Sequence, residues 1–235
     1  MKIAYDFHIH TALSPCGDED MTPNNIVNMS ILKGLNVIAI TDHNTCRNAL
    51  SCMQCAEGTD LLVLPGMEVE TSEECHVVCI FETIEQAIKM EEEVSSHLPK
   101  IKNRTDIFGH QMIMDKEDNV IGEEENLLVT ATSLSVSQVS HLASSLGGAS
   151  FPAHIDKTSY SVISNLGFID DSYGFKTVEI KNPDRVEELY EKHHLSRFKI
   201  IHNSDAHYLQ DISECLYFLD TPHLTAKQII DIIRG

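Results

Sequence analysis

The chain has 235 residues, of which 42% are hydrophobic and 23% are charged, a composition that can bury a core and excludes a disordered chain. Its 17 Lys and Arg residues against 36 Asp and Glu residues leave a net charge of −19, which opposes binding to a long polyanion such as duplex DNA. No apolar stretch approaches the length of a membrane-spanning helix, so a membrane partner is not expected.

Short apolar runs alternate along the chain with segments of helical periodicity. The predicted strands cover residues 2–7, 36–41, 61–65, 76–81, 149–153, 177–180, 198–202 and 215–219. The predicted helices run from the Thr22-Pro23 cap to about Gly34 and over residues 46–58, 83–97, 135–146, 183–194 and 225–234. Strands that alternate with helices favour a mostly parallel α/β sheet, either open or closed into a barrel.

One stretch, residues 98–130, interrupts this alternation. Within it, the polar segment 115–119 separates the apolar residues 112–114 from residues 120–121, which predicts a hairpin turn. We interpret the stretch as an insertion in a single domain that spans residues 1–235.

Two predicted strands end in histidines. His8 and His10 lie two positions apart at the end of the first strand, so their side chains point to one side and can converge on one ion. By itself, a pair with this spacing more often consists of two unrelated surface histidines. His43 follows the second strand in the motif Thr41-Asp42-His43, where the alternative is a turn in which Asp42 caps the next helix.

Three further strand ends carry acids or histidines. Glu68 follows the strand at 61–65, with Glu70 as a solvated alternative, and His76 comes next along the chain. His154 follows the strand at 149–153, and the pair Asp205 and His207 follows the strand at 198–202. Five strand ends with such residues favour metal ligation over five coincidences. Imidazole and carboxylate without thiolate suit Zn, Mn or Fe, and several ions together can clamp a phosphoryl group.

At these residues the sequence resembles the PHP (polymerase and histidinol phosphatase) superfamily. The resemblance rests on the following motifs: His-x-His-Thr at 8–11, Thr-Asp-His at 41–43, Gly-Met-Glu-Val-Glu at 66–70 with His76, Pro-Ala-His at 152–154 and Ser-Asp-Ala-His at 204–207. It implies a stand-alone PHP-domain phosphoesterase with a distorted, TIM-like (β/α)7 barrel. The active site would lie at the C-terminal ends of the strands.

The resemblance also implies three divalent ions and a set of ligands. The first ion would take His8, His10, Glu68 and Asp205; the second would share Glu68 and add His76 and His154; the third would take His43, His207 and a residue from the loop after His10. For that loop residue we favour Asp20, which directly precedes the helix start, with Asp18 and Cys16 as alternatives. Catalytic roles would belong to His43, Glu68 and Asp205.

The implied activity is hydrolysis of a phosphoric ester by water activated at the trinuclear site, with a small phosphomonoester or nucleotide as substrate. Lys157, three residues after His154, is the best candidate for binding the substrate phosphate, ahead of Arg185 and Arg197. The alternatives are a PHP-type nuclease or phosphodiesterase, which the negative charge disfavours together with nucleic acid as a partner, and a non-catalytic metal-stabilised module. Seven cysteines and the lack of a signal-peptide pattern lead us to expect a cytoplasmic protein with free thiols.

Overall fold

The structure is a computed structural model that describes residues 1–235. Its strands are β1 (Lys2–Ile9), β2 (Val37–Ile40), β3 (Leu62–Glu70), β4 (His76–Ile80), β5 (Met112–Met114), β6 (Val120–Glu123), β7 (Ala149–Pro152), β8 (Thr177–Glu179), β9 (Lys199–Ile201) and β10 (Phe218–Asp220). Its helices are α1 (Pro23–Leu32), α2 (Ala49–Cys55), α3 (Ile84–His97), α4 (Thr105–Phe108), α5 (Val136–Ser145), α6 (Val162–Leu166), α7 (Val186–Lys192) and α8 (Ala226–Arg234). None of these helices combines the length and the apolar composition needed to span a bilayer.

Six strands form a curled half-barrel sheet in the order β10-β1-β2-β3-β4-β7, and β8 pairs with β9 in a separate parallel sheet. Two contacts bring this pair against the larger sheet at the end where the strands terminate. Ile155 N–H donates to Glu179 C=O (2.9 Å), and His10 N–H donates to Ala206 C=O (3.0 Å). The ends of strands that are far apart in sequence therefore meet at one end of the sheet.

The expected mostly parallel arrangement is only partly present. β1, β2 and β3 are parallel, but β4 is antiparallel to β3 and to β7, and β10 is antiparallel to β1. For β4 the cause is the short connection 71–75, which allows a hairpin but is too short for a helical crossover. The fold is a mixed α/β structure that agrees with a distorted PHP-type barrel, whereas these pairings do not establish seven strand–helix units.

The sheet is covered by apolar residues on both faces. Alternate residues of β2 belong to two different buried hydrophobic clusters: Val37 and Ala39 are in the cluster of Phe7 and Phe151, while Ile38 and Ile40 are in the other cluster. Such period-two alternation within a wholly apolar strand is expected where both faces of a sheet are covered. The sheet is thus a rigid support for the side chains that follow its strands.

Most predicted elements are confirmed, with shifted ends. α1 begins where expected, because Thr22 Oγ1 accepts from Asn25 N–H and proline occupies the first turn. The predicted hairpin is present as β5 and β6, and Asn48 holds β5 by donating to Met112 C=O and accepting from Met114 N–H. The helix predicted over 183–194 is a 3-10 turn at Pro183–Arg185 that continues into α7.

Candidate metal centre

One carboxylate, that of Glu68, lies where these strand ends meet. It belongs to β3 and is 1% exposed. Five imidazole nitrogens surround it: His8 Nε2 at 3.1 Å, His10 Nε2 at 3.5 Å, His43 Nδ1 at 3.1 Å, His76 Nδ1 at 2.9 Å and His154 Nε2 at 3.2 Å. We call these six residues, together with Asp205 and His207, the histidine–carboxylate cluster.

The hairpin between β3 and β4 explains why His76 reaches this position. His76 is the first residue of β4 and pairs in register with Glu70, close to the end of β3. Because β4 runs opposite to β3, its first residue lies at the edge where the parallel strands end. A histidine that precedes a strand therefore joins residues that follow strands.

Asp205 and His207 reach the cluster through an irregular segment after β9. Asp205 has a φ of 52°, a conformation that non-glycine residues rarely adopt. Hydrogen bonds from Ser204 N–H to Asp6 Oδ1 (3.1 Å) and from Ala206 N–H to His8 C=O (3.2 Å) hold the segment on both sides of Asp205. As a result Asp205 Oδ1 lies 3.6 Å from His8 Nε2 and 3.5 Å from His10 Nε2.

The spacing of these donor atoms fits a metal ion. Metal–nitrogen bonds of about 2.0–2.1 Å in a tetrahedron place neighbouring ligand atoms about 3.4 Å apart. His8 Nε2 and His10 Nε2 are separated by 3.2 Å, and their distances to Glu68 and Asp205 range from 3.1 to 3.6 Å. These four residues are the ones that the resemblance implies for the first ion.

Two further groups of donor atoms have metal-site spacing. The first is His43, Glu68 and His76, and the second is His10, His43 and His207; within each group the atoms lie within 4.8 Å of one another. The Nδ1 atoms of His43 and His76 are buried without a hydrogen-bond partner, although each lies about 3 Å from a Glu68 oxygen. A divalent ion between these nitrogens and the carboxylate would bind both, and it would give each nitrogen the partner that it lacks.

Hydrogen bonds select the nitrogen that each of the first two histidines presents. His8 Nδ1 donates to both oxygens of Glu179 (3.1 Å), so His8 Nε2 faces the cluster. Ser14 Oγ donates to Asp42 (2.7 Å) and therefore accepts from His10 Nδ1 (3.1 Å), which turns His10 Nε2 inward. Such outer partners orient metal-binding imidazoles in known sites.

The electrostatics of the pocket attract positive charge. Burial by itself would lower the pKa of His8, but the carboxylates of Glu179, Glu68 and Asp205 hold that pKa well above its usual value. Conversely, although burial opposes ionisation of Glu68, the imidazoles of His76 and His8 keep its pKa well below the usual value. Since the charges are buried, a cation among these carboxylates gains far more than it would in water.

Burial lowers the pKa of His10 to about 3, with a further contribution from His207. Burial also lowers the pKa of His43 well below its usual value, with His10 as the next cause. Both imidazoles are therefore neutral at physiological pH, which is the form that binds metal.

The loop after β1 does not bring Asp20 to the cluster. Asp20 is exposed at the start of α1, where its N–H donates to Asp18 Oδ1 (2.9 Å) and its C=O accepts from Asn25 (3.0 Å), so its carboxylate remains in water. Asp18 lies nearer, because its N–H donates to His207 C=O (2.9 Å). Cys16 is an exposed residue. The pKa of its thiol is nevertheless raised to about 12, mainly by partial burial of the thiol and secondly by the negative charge of Glu68.

The predicted phosphate ligand Lys157 lies beside the cluster, and a second lysine accompanies it. Lys157 Nζ donates to Asp205 Oδ2 at 2.5 Å, and Lys181 Nζ donates to the same oxygen at 3.3 Å. Asp205 therefore directs one oxygen to the imidazoles and the other to two lysines. Arg185 instead donates to Asp156 C=O, and Arg197 pairs with Asp171 (2.9 Å).

Sequence reasoning missed the buried acids that support the cluster. Glu179, besides holding His8, accepts from His154 N–H (2.8 Å) and Asn203 Nδ2 (2.7 Å). The signal was available, because Glu179 is an acid at the end of an apolar strand, like the predicted ligands. Asp42 does not cap a helix; its buried carboxylate accepts from Thr11 N–H (2.7 Å) and Ser14 and so fixes the loop after β1.

Comparisons with known proteins identify the family. The profile of the PHP domain matches residues 6–194. The uncharacterized protein MJ1587 of Methanocaldococcus jannaschii is 36% identical over 76 residues, which are 29% of this chain and 44% of that protein.

Solved structures with the same fold include a nuclease. The lesion-specific endonuclease PfuEndoQ of Pyrococcus furiosus has a TM-score of 0.71 at 20% identity; the match covers 100% of this chain and 56% of the endonuclease. A complex of endonuclease Q with a 27-mer duplex substrate that has an abasic lesion at the active site has a TM-score of 0.69 at 19% identity, over 100% of this chain and 57% of that one. The chain thus spans little more than half the length of these nucleases.

A third structure matches over nearly its full length. A Bifidobacterium adolescentis protein with a suggested role as a metal-dependent phosphoesterase has a TM-score of 0.61 at 18% identity, over 98% of this chain and 96% of that one. At these identities the likeness concerns the fold alone. The expectation that nucleic acid is not a partner is nevertheless not supported, because neighbours in fold are endonucleases, one of them in complex with a duplex substrate.

Proposed function

The chain belongs to the PHP domain family, and from this premise we propose that it is a metal-dependent phosphoesterase that hydrolyses a small phosphomonoester or nucleotide. The observation that carries the proposal is the convergence of five imidazoles on the buried carboxylate of Glu68. If this part of the interior served only to stabilise the fold, hydrophobic residues would do so at a lower free-energy cost, because buried charged groups need partners that compensate for the loss of water.

The donor atoms suit divalent ions. His8, His10, Glu68 and Asp205 would hold one ion, and the other members of the cluster, with Glu68 shared, would hold two more. Such ions polarise phosphoryl oxygens and lower the pKa of water. The contribution of the protein is to fix the donors, and Glu179 and Ser14 do so for His8 and His10.

The two lysines provide the binding of an anionic substrate. Lys157 and Lys181 have side chains that are 38% and 41% exposed, so they line the approach to the cluster. Their ammonium groups carry the positive charge that a phosphate dianion requires near a chain of net charge −19. Both contact Asp205, so a phosphate bound by them would lie next to the ligands of the first ion.

The test is turnover by the metal-loaded protein. Protein stripped with chelator and reloaded with Mn or Zn is incubated with phosphomonoesters, cyclic and bis-phosphates and oligonucleotides, and released phosphate or cleaved product is quantified. We expect hydrolysis of a phosphomonoester that depends on added metal. Absence of turnover on every substrate would refute the phosphoesterase and favour a non-catalytic metal-stabilised module.

A second candidate is a nuclease, which the likeness to endonuclease Q over the whole chain favours. The same panel includes a duplex with an abasic site and the matched intact duplex. Cleavage of the lesioned duplex with no release of phosphate from small esters would establish the nuclease instead. The net charge of −19 disfavours this outcome, because a basic surface normally attracts duplex DNA.

A further inference from the structure

An exposed aromatic ring lies directly on one member of the histidine–carboxylate cluster. The Tyr160 ring stacks on the His76 imidazole with 4.8 Å between ring centroids and 24° between their planes. Tyr160 is 47% exposed, so its ring does not belong to the apolar core. It is a flat aromatic surface beside the cluster with access to solvent.

The backbone holds Tyr160 in this position at a conformational cost. Its φ is 55°, in the left-handed region, where a bulky side chain is unusual. The carbonyl of Tyr160 accepts from His76 N–H at 2.9 Å, which fixes the residue next to the histidine. Core packing does not account for a strained and half-exposed tyrosine, and such outliers concentrate at functional sites.

Two lysines also border the cluster, and we call Lys157, Tyr160 and Lys181 together the rim of the cluster. Lys157 and Tyr160 lie in the connection between β7 and α6, and Lys181 follows β8. Asp156 joins the two connections, because its carboxylate accepts from the N–H groups of Lys181 (2.8 Å) and Asn182 (3.0 Å). A π-face at His76 and two ammonium groups at Asp205 therefore stand on two connections that Asp156 joins beside the cluster.

We propose that Tyr160 determines substrate specificity by stacking on a nucleobase, while Lys157 and Lys181 hold the phosphate of the same nucleotide. This inference rests on the proposed phosphoesterase function. A nucleotide combines a planar aromatic ring with a phosphate, whereas a sugar or polyol phosphate offers the phosphate alone. Stacking on aromatic side chains accepts every base, so the rim suits a mononucleotide or a single-stranded oligonucleotide.

The test compares substrates with and without a base. Metal-loaded protein and its variants are assayed with adenosine 5′-monophosphate, a short single-stranded oligonucleotide and ribose 5-phosphate. For Tyr160→Ala we expect the ratio of kcat/KM for a base-bearing substrate to that for ribose 5-phosphate to fall about tenfold. Tyr160→Phe should keep the wild-type ratio, and Tyr190→Ala, at a comparably exposed tyrosine on α7, serves as the matched control. If the ratio falls for adenosine 5′-monophosphate, the bound nucleotide is a mononucleotide; if it falls only for the oligonucleotide, it is a single-stranded oligonucleotide.

Binding without turnover separates this inference from the proposed function. Equilibrium dialysis measures the affinity for a hydrolysis-resistant methylenephosphonate analogue of adenosine monophosphate, and elemental analysis measures bound metal. If wild-type protein hydrolyses no ester, the phosphoesterase fails, yet weaker analogue binding by Tyr160→Ala than by Tyr160→Phe still supports stacking. Equal analogue binding by the two variants, or an unchanged substrate ratio in Tyr160→Ala, would overturn the inference. If Tyr160→Ala instead loses metal and its kcat/KM falls equally for all substrates, the role of Tyr160 is to hold His76 in place, which would also overturn the inference.

Discussion

The Nδ1 atom of His8 lies 3.1 Å from both carboxylate oxygens of Glu179, and neither side chain is exposed to water. The contact joins the end of β1 to the end of β8, which are separated by about three quarters of the chain. It selects the His8 nitrogen that faces Glu68 and Asp205. Glu179 thereby acts on the cluster without belonging to it.

Replacing Glu179 should weaken metal binding while leaving the cluster residues in place. Glu179→Gln keeps the size of the side chain but removes its charge, and it brings an amide donor toward the Asn203 and His154 donors. We expect a loss of about 10–100-fold in metal affinity, as for other outer partners of metal-binding histidines. Competition with a chelating dye measures the affinity, and Glu191→Gln at an exposed position of α7 is the control. Unchanged affinity would mean that His8 keeps its orientation without Glu179.

Asp205→Asn should abolish most activity with little change in fold. The substitution removes the anionic oxygen that faces His8 and His10 and the partner of two lysines. A direct ligand should matter at least as much as an outer one, so we expect kcat/KM to fall by about a hundredfold or more. Far-UV circular dichroism monitors the fold. Asp20→Asn, at the exposed acid outside the cluster, should retain activity; equal losses in the two variants would contradict the assignment of both residues.

Metal removal should abolish activity and lower thermal stability together. Ions that bind only the folded protein stabilise it by about 2.7 kcal/mol at a concentration of a hundred times Kd, which corresponds to roughly 5–10 °C in Tm for a domain of this size. Differential scanning fluorimetry with and without chelator, followed by readdition of Mn or Zn, measures both effects. Elemental analysis then tests whether three ions bind per chain. Activity that survives complete removal of metal would contradict the proposed chemistry.

Lys157→Ala should impair substrate binding without loss of metal. The lysine contacts Asp205 Oδ2, whereas the imidazoles contact the other oxygen, and Lys181 continues to pair with Oδ2. Loss of one charge-assisted hydrogen bond to phosphate predicts an increase in KM of about tenfold. Steady-state kinetics and elemental analysis are compared with those of Lys100→Ala, at an exposed lysine after α3. Should Lys157→Ala lose metal instead, its role would be to stabilise Asp205.

The strand that precedes His154 should be sensitive to truncation in the core. Phe151 of β7 is 0% exposed and belongs to the same part of the hydrophobic core as Phe7 and Val37. Phe151→Ala should reduce the free energy of unfolding by about 3–5 kcal/mol, because it removes a large buried ring and leaves a cavity. Urea denaturation provides the measurement. A loss below about 1 kcal/mol would mean that the sheet relaxes into the space.

Local sequence pattern determined the elements and the chemical character of the site. Period-two spacing placed His8 and His10 on one side of a strand, and strand ends marked Glu68, His154 and Asp205. The sequence also predicted the start of α1 and the hairpin of β5 and β6, because the preferences for helix caps and turns depend on neighbouring residues.

Tertiary structure decided what depends on contacts between distant residues. The reversal of β4 places His76 beside Glu68, and the meeting of β1 with β8 makes Glu179 the partner of His8. The course of the loop after β1 leaves Asp20 in water and brings the backbone of Asp18 to His207. Spacing along a strand constrains only the direction of a side chain. The partner that the side chain meets depends on how strands from the whole chain pair, and loop residues lack even the constraint of direction.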